Sequence, residues 1–249
     1  MATRINYDQL ATEYAQHRQV NPAVVKALIE VGHIDQNTTL LEVGCGTGNY
    51  CLTLNRLTGC AGHGIDPSAA MLDQAKKRQV ATEESPATIQ FQAGQAEQLD
   101  FPAGTFDLVY SVDVIHHVQD RARFYQEAWR VLKPGGRLCT VTDSESVIQR
   151  RRPLSNYFPE TVPVELARYP HIATLREYML AAGFTHISEP EVEFAYPLTA
   201  SQPYRDKAFS SLHLISPQAH AQGLARLEAD LQAGPVAGLS LYTMLWGKK

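Results

Sequence analysis

Short apolar runs alternate with stretches of helical spacing through the first two thirds of the chain. "TLLEV" at 39–43, "AGHGID" at 61–66, "TIQFQAG" at 88–94, "FDLVYSV" at 106–112 and "RLCTVTD" at 137–143 each read as a strand. Between them, residues 47–57, 68–79 and 121–132 read as helices. Pro67 and Ser68 mark the start of the second helix, and the breaker "KPGG" at 133–136 stops the third. Strand and helix in steady alternation predict an α/β fold with a parallel sheet and crossover helices.

After Asp143 the rhythm is lost for about thirty residues, in "SESVIQRRRPLSNYFPETVPVELARYPHI", and a loop that long within a compact domain is usually functional or disordered. Regularity returns with a helix at 174–182 closing on Gly183, a strand in "FTHISEPEVEFAY", a helical region at 203–232 and an alternating last strand at 238–248. Ahead of the first strand, Tyr7, Leu10, Ala11 and Tyr14 share one helical face. That helix packs on the body or serves as a lid over the glycine turn that follows the strand.

With 249 residues and 44% hydrophobic content, the chain can bury a full core. Its net charge of −4 argues against general attraction to a phosphate backbone, so no nucleic-acid partner is expected. The polar N-terminus has no signal-peptide pattern, and no apolar run reaches the ~18 residues of a membrane span, so a cytoplasmic protein is expected. Cys45, Cys51, Cys60 and Cys139 form no C-x-x-C pair and match no His spacing, which suggests neither a metal site nor a disulfide framework.

Candidate chemistry centres on "LEVGCGTGN" at 41–49, where a strand hands over to a helix. Such a turn presents backbone N–H groups, and glycine lets a ligand approach closely. Gly44-x-Gly46-x-Gly48 differs from the usual dinucleotide spacing. Glu42 would repel a pyrophosphate but bind an ammonium group. Asp66, about twenty residues on, ends the second strand where an acid accepts ribose hydroxyls, although it also suits the cap of the following helix. Gln95, Ala96 and Glu97 follow the third strand, where they can read an adenine edge. Ammonium, ribose and adenine together describe S-adenosylmethionine.

These motifs, with "GIDPSAAMLDQAKKR", "AEQLDFPAGTFDLVYS", "VIHHVQD" and "EAWRVLKPGGRL", resemble the class I S-adenosylmethionine-dependent methyltransferases. Within that class the chain is similar to the small-molecule group, called type 11, that includes the ubiquinone and menaquinone biosynthesis enzymes. The resemblance covers about residues 7–142 and thins beyond them. It implies a Rossmann-like, doubly wound, seven-stranded sheet with an antiparallel last strand and helical cap and lid insertions. The implied plan is one domain over 1–249, with N-terminal lid helices at 1–36, a cofactor-binding core at 37–143 and substrate-cap segments at 144–172 and 196–235.

By the same resemblance, Glu42, Gly44, Cys45, Gly46 and Gly48 surround the methionine part of the cofactor and Asp66 holds the ribose. Pro67 and Met71 flank the adenine, Ala96 and Glu97 line its edge, and Ser111 lies beside the cofactor. Met71 suits plain core equally well. Gln95 stands where the family often has Asp, and its amide oxygen can accept from the adenine amino group without charge. Tyr14 and Arg18 match a Tyr and an Arg that often reach the cofactor carboxylate.

The implied activity is methyl transfer to a small-molecule acceptor, leaving S-adenosylhomocysteine, by a monomer or homodimer. Positioning of the acceptor supplies most of the catalysis. His116 of the His116–His117 pair is the preferred candidate for accepting a substrate proton, and Asp113 has a similar claim. Arg150-Arg151-Arg152 reads as a solvated basic turn or a clamp for an anionic substrate, and Tyr157 and Phe158 as pocket wall or loop anchor. A non-catalytic S-adenosylmethionine-binding protein is the alternative. A short-chain oxidoreductase is disfavoured, because none of the eleven tyrosines has a Lys four residues later.

Overall fold

The computed structural model describes residues 19–81 and 88–249. Tyr14 and Arg18 lie outside the described residues. The helices are α1 (Pro22–Gly32), α2 (Asn49–Thr58), α3 (Ala69–Ala81), α4 (Arg121–Val131), α5 (Glu145–Arg150), α6 (Leu154–Tyr157), α7 (Thr161–Arg168), α8 (Ile172–Ala182), α9 (Gln202–Arg205) and α10 (Pro217–Ala233). The strands are β1 (Thr39–Val43), β2 (Ala61–Asp66), β3 (Ile89–Ala93), β4 (Phe106–Val112), β5 (Leu132–Thr142), β6 (Thr185–Ser188), β7 (Glu191–Leu198) and β8 (Val236–Lys248).

The sheet order is β3-β2-β1-β4-β5-β8-β6, with β7 also paired to β8. β1 through β5 are mutually parallel, and β8 runs antiparallel to β5. β6 meets β8 at residues 246–248, and β7 meets it at 236–243, on the edge that β5 leaves open. The two are one strand position broken at Glu189–Pro190, because proline has no N–H to give the ladder. The result is the expected seven positions with one antiparallel strand.

Alternate residues of each strand enter opposite cores, which makes the sheet doubly wound. Leu41, Val43, Val109 and Leu138 pack with α4 and α8, whereas Leu40, Leu108, Tyr110 and Cys139 pack with α1, α2 and α3. The bounds of β1, β2 and β4 match the apolar runs in the sequence.

Three expectations change. α1 is no lid: Val24, Val25 and Leu28 are buried against the sheet, and Asn21 caps the helix while its amide donates to Ser240 Oγ at 2.9 Å. The KPGG breaker ends α4 but not the pairing, since β5 begins at Leu132 and absorbs the extra residues as a bulge between the Phe106–Leu132 and Leu108–Arg137 pairs. The segment 144–172 is not irregular; it holds α5, α6 and α7, and Ser144 caps the first of them.

The helical region at 203–232 is broken into α9, a 3₁₀ turn at Ser210–His213 and α10. Leu154 and Phe158 from one segment and Tyr204, Leu212, Ile215 and Leu227 from the other form a third apolar cluster. The two cap segments thus have a core of their own.

Candidate active site

The glycine turn connects β1 to α2, and its three glycines have three different reasons to be glycine. All have positive φ, at +73° for Gly44, +51° for Gly46 and +75° for Gly48. A Cβ on Gly44 would lie 2.4 Å from Val114 Cγ2, and one on Gly48 would lie 2.7 Å from the Phe91 ring. At Gly46 a Cβ would meet nothing within 4 Å. Gly44 and Gly48 therefore serve packing, whereas the Gly46 backbone faces open space.

The turn does not offer a row of free donors. Gly44 and Cys45 N–H donate to the Ile65 carbonyl, Gly48 N–H to the Cys45 carbonyl, and Gly46 N–H to Asp66 Oδ2 at 2.9 Å. Asp66 Oδ1 accepts from Ser68 N–H, so this carboxylate fixes the turn and starts α3 at once. Any ribose contact would use its remaining lone pairs.

Glu42 is 2% exposed, and its Oε2 accepts from Cys51 N–H and from the Tyr110 hydroxyl, each at 3.0 Å. Burial pushes its carboxyl up to about 7, against the lowering effect of those two hydrogen bonds. Cys45 and Cys51 thiols are pushed up by burial first and then by the Glu42 charge, so neither is a thiolate nucleophile. The Cys45 side chain points to the core near Gly64, leaving only its backbone at the turn.

Glu42, Gly44, Cys45 and Gly46 line one cleft, together with Gln19, Asn49, Tyr50, Asp113 and Tyr242. The other expected residues lie outside that lining. Ser111 is 1% exposed in β4, and its Oγ has no hydrogen-bond partner among the described residues. Met71 is buried, Pro67 is exposed and Gln95 is exposed. Ala96 belongs to the apolar core. Glu97 turns its carboxylate to the Gln119 and Asp120 N–H groups, where it shapes the loop before α4.

A second cavity adjoins this cleft. Its floor is Leu239–Tyr242 of β8, and its walls come from the cap, with Tyr169, Tyr196, Tyr204 and Phe209 among them. Asp113 and Tyr242 line both spaces, and the Tyr242 hydroxyl donates to Asp113 Oδ2 at 2.9 Å. Asp113 has φ +57°, a strained value for a residue with a side chain, and its N–H is tied to the Val141 carbonyl. Tyr242 gave no signal in the sequence, because it reaches the site across 129 positions of chain.

Arg150-Arg151-Arg152 is not a solvated basic turn. Arg150 pairs with Glu191 at 2.8 Å, and Arg151 lies between the buried Asp143 and Glu165. Arg152 bonds through its backbone to Leu239, stitching the cap to β8. His116 is half-buried and stacks on Tyr169 at 4.1 Å, outside the lining of both cavities. Tyr157 anchors the cap through Asp230, and Phe158 is wholly buried in the cap core. Among the described residues no group of three His, Cys, Asp or Glu could hold a metal ion.

The open backbone at Gly46 and the cleft-lining Glu42 suit a polar ligand that carries a cationic group. Residues 41–140 match the family described as "Methyltransferase domain". These residues form an S-adenosylmethionine-dependent methyltransferase domain.

Beyond this match, the chain is 28% identical over 182 residues to a demethylmenaquinone methyltransferase of Listeria monocytogenes, covering 65% of this chain and 76% of that one. It is 35% identical over 179 residues to a 2-methyl-6-phytyl-1,4-hydroquinone methyltransferase of Synechocystis, covering 69% of this chain and about half, 54%, of that one. A putative methyltransferase from an antibiotic biosynthesis pathway of Anabaena variabilis superposes with a TM-score of 0.69 at 22% identity, over 92% of this chain and 98% of that one, and so shares its fold.

Proposed function

We propose that this methyltransferase transfers a methyl group to a small molecule held under the cap, with the donor bound in the cleft over Gly46. The observation that carries the reading is the meeting of the two cavities at Asp113 and Tyr242. Donor and acceptor can face each other there. The names of the two relatives, a demethylmenaquinone and a 2-methyl-6-phytyl-1,4-hydroquinone methyltransferase, support a small-molecule acceptor.

When bound, S-adenosylmethionine supplies a sulfonium methyl that needs little further activation. The chain's own residues then bind, orient and exclude water. In this reading Glu42 answers the donor's ammonium, Asp66 keeps the turn in shape and shares the ribose, Ser111 gives its hydroxyl to the donor, and the backbone at 95–97 borders the adenine beside Met71 and Pro67. Aligning the two reactants is worth about 7–11 kcal/mol when their geometry is right.

The plan of one domain, with a core at 37–143 and cap segments at 144–172 and 196–235, belongs to the same proposal. So does a cytoplasmic setting, supported by four buried cysteines without disulfides. No described helix is long and apolar enough to cross a membrane.

Calorimetry with S-adenosylhomocysteine tests the reading. Binding should be clear for the native chain and strongly reduced in Asp66→Ala. An unchanged affinity in that variant would remove Asp66 from the site, and no binding at all by the native chain would sink the proposal.

A further inference from the structure

We infer that Tyr169 binds the acceptor, its hydroxyl donating a hydrogen bond in the acceptor cavity to an oxygen that the acceptor carries. This deepens the methyltransferase reading and rests on it. Three observations lead there.

The first is an inventory of hydroxyls. Six side chains with a hydroxyl line the acceptor cavity, and five of them are engaged. Tyr242 donates to Asp113, Tyr196 and Tyr204 bond to each other, Ser210 accepts from Arg168 at 3.4 Å, and Ser240 accepts from the Asn21 amide at 2.9 Å. The Tyr169 hydroxyl has no hydrogen-bond partner among the described residues. Asp143 and Asp113 are near enough for their charges to act on it, yet neither accepts from it. A polar group away from bulk water is costly to leave unmatched, so this hydroxyl is matched by what fills the cavity.

The second is how firmly the side chain is placed. Tyr169 follows α7 directly, and its N–H caps that helix by donating to the Glu165 carbonyl at 2.9 Å. Pro170 comes next and favours the extended backbone that Tyr169 has, at φ −79° and ψ +133°. The ring stacks on His116 at 4.1 Å, and His116 meets His117 at 3.9 Å, so the side chain is also braced by the loop after β4. A donor fixed on both sides loses little freedom when a ligand arrives.

The third is its protonation. Burial first, and then the charges of Asp143 and Asp113, push the hydroxyl well above its ordinary range, with Arg151 opposing. Tyr169 therefore keeps its proton and gives it to a lone pair as a hydrogen bond. It orients the acceptor and leaves proton removal to another group. Carbonyl, hydroxyl and ether oxygens offer such a pair at neutral pH, whereas an alkylamine is protonated and offers none.

The test uses the full chain saturated with S-adenosylhomocysteine and two neutral probes of similar shape. Acetophenone has a carbonyl that accepts a hydrogen bond, and ethylbenzene has no polar atom. Tyr169→Phe keeps the ring and its stack on His116, so the variant should fold and bind S-adenosylhomocysteine within about threefold of the native chain. By calorimetry it should weaken acetophenone about two- to tenfold, as loss of one neutral hydrogen bond does, and leave ethylbenzene within about twofold. In infrared difference spectra the carbonyl stretch of acetophenone on the native chain should lie below its value in an apolar solvent, and it should return toward that value in Tyr169→Phe.

Equal weakening of both probes would make Tyr169 a structural residue and overturn the assignment. Failure of acetophenone to bind the native chain, or a carbonyl stretch that the variant leaves unmoved, would overturn it as well. So would a large loss of S-adenosylhomocysteine affinity in Tyr169→Phe, by giving the hydroxyl to the donor. If the native chain bound no S-adenosylhomocysteine, the methyltransferase reading itself would fall, which is a different result.

Discussion

The donor cleft and the acceptor cavity meet at two residues but are built in opposite ways. The cleft is made mostly of neighbours: the greater part of its lining falls within Glu42 to Tyr50, and the partners of the turn come from the ends of adjacent parallel strands. The cavity is assembled from a distance. Its core joins Phe158 to Tyr204, its lid is pinned by Tyr157 to Asp230 and by Arg205 to Glu228, and its floor is β8. The first is specified by backbone geometry and tolerates little change. The second is specified by side-chain pairing, which can be rewritten without disturbing the sheet.

The largest effect is expected at Arg151. Arg151→Ala leaves Asp143 and Glu165, each 3% exposed, without their cation, and should cost about 3–5 kcal/mol in a denaturant titration. S-adenosylhomocysteine affinity of the folded variant should be retained. An unchanged midpoint would mean that the cap is not latched to the core through this residue.

The glycines sharpen the contrast next. Gly46→Val should lower S-adenosylhomocysteine affinity by about 100-fold, equivalent to ~2.7 kcal/mol. Its left-handed backbone should cost only about 1–2 kcal/mol of stability. Gly48→Ala should do the reverse: the same left-handed strain adds to a Cβ that strikes Phe91 and Ala75 inside the core, which together should cost about 2–5 kcal/mol while the folded fraction still binds. If both variants lost binding equally at equal stability, the division of labour among the glycines would be wrong.

Glu42 gives a pH test. Its folded carboxyl sits at about 7, above the ordinary value of 4.5, so the native state holds this proton more tightly than the unfolded chain does. The Glu42 contribution to stability is therefore most favourable below pH 4.5, declines as pH rises to about 7 and is flat above that. The ammonium group of S-adenosylhomocysteine favours the carboxylate form, so affinity should rise about tenfold between roughly pH 6 and pH 8. Glu42→Gln should flatten that profile, and a profile left intact would remove Glu42 from ligand binding.

The smallest effect is expected at His116. Its ring stacks on Tyr169 behind the cavity wall, so His116→Ala should cost about 0.5–1.5 kcal/mol in a urea titration and leave S-adenosylhomocysteine affinity unchanged. A marked loss of affinity would draw the donor cleft further along the loop after β4 than the lining indicates.

The same contrast explains what could be read from the residues in order. β1, β2 and β4 were legible to the residue because strand pairing and burial act on short continuous runs. The glycine turn was legible as the handover from β1 to α2, yet the separate duties of Gly44, Gly46 and Gly48 were not, since Val114 and Phe91 come from elsewhere in the chain. Lys133–Gly136 looked like a gap because composition signals a bend and cannot show that the bend stays in the ladder. In the cap, three adjacent arginines looked like one basic patch. Their partners lie 41, 8 and 14 positions away for Arg150 with Glu191, Arg151 with Asp143 and Arg151 with Glu165, and no local pattern announces them. Glu97 misled for the same reason, because its partners are the N–H groups of Gln119 and Asp120.

β8 has one further consequence. Residues 239–242 sit in a ladder with β7 on one edge, and Leu239 is bonded to Arg152 on the other, so the floor of the acceptor cavity cannot slide without breaking register. The roof, by contrast, is carried on helices and turns that hang between fixed points. For an engineer this is a mould with an immovable base and an exchangeable cover: new acceptors are best sought by replacing 199–235 wholesale, while the last thirteen-residue strand is left untouched.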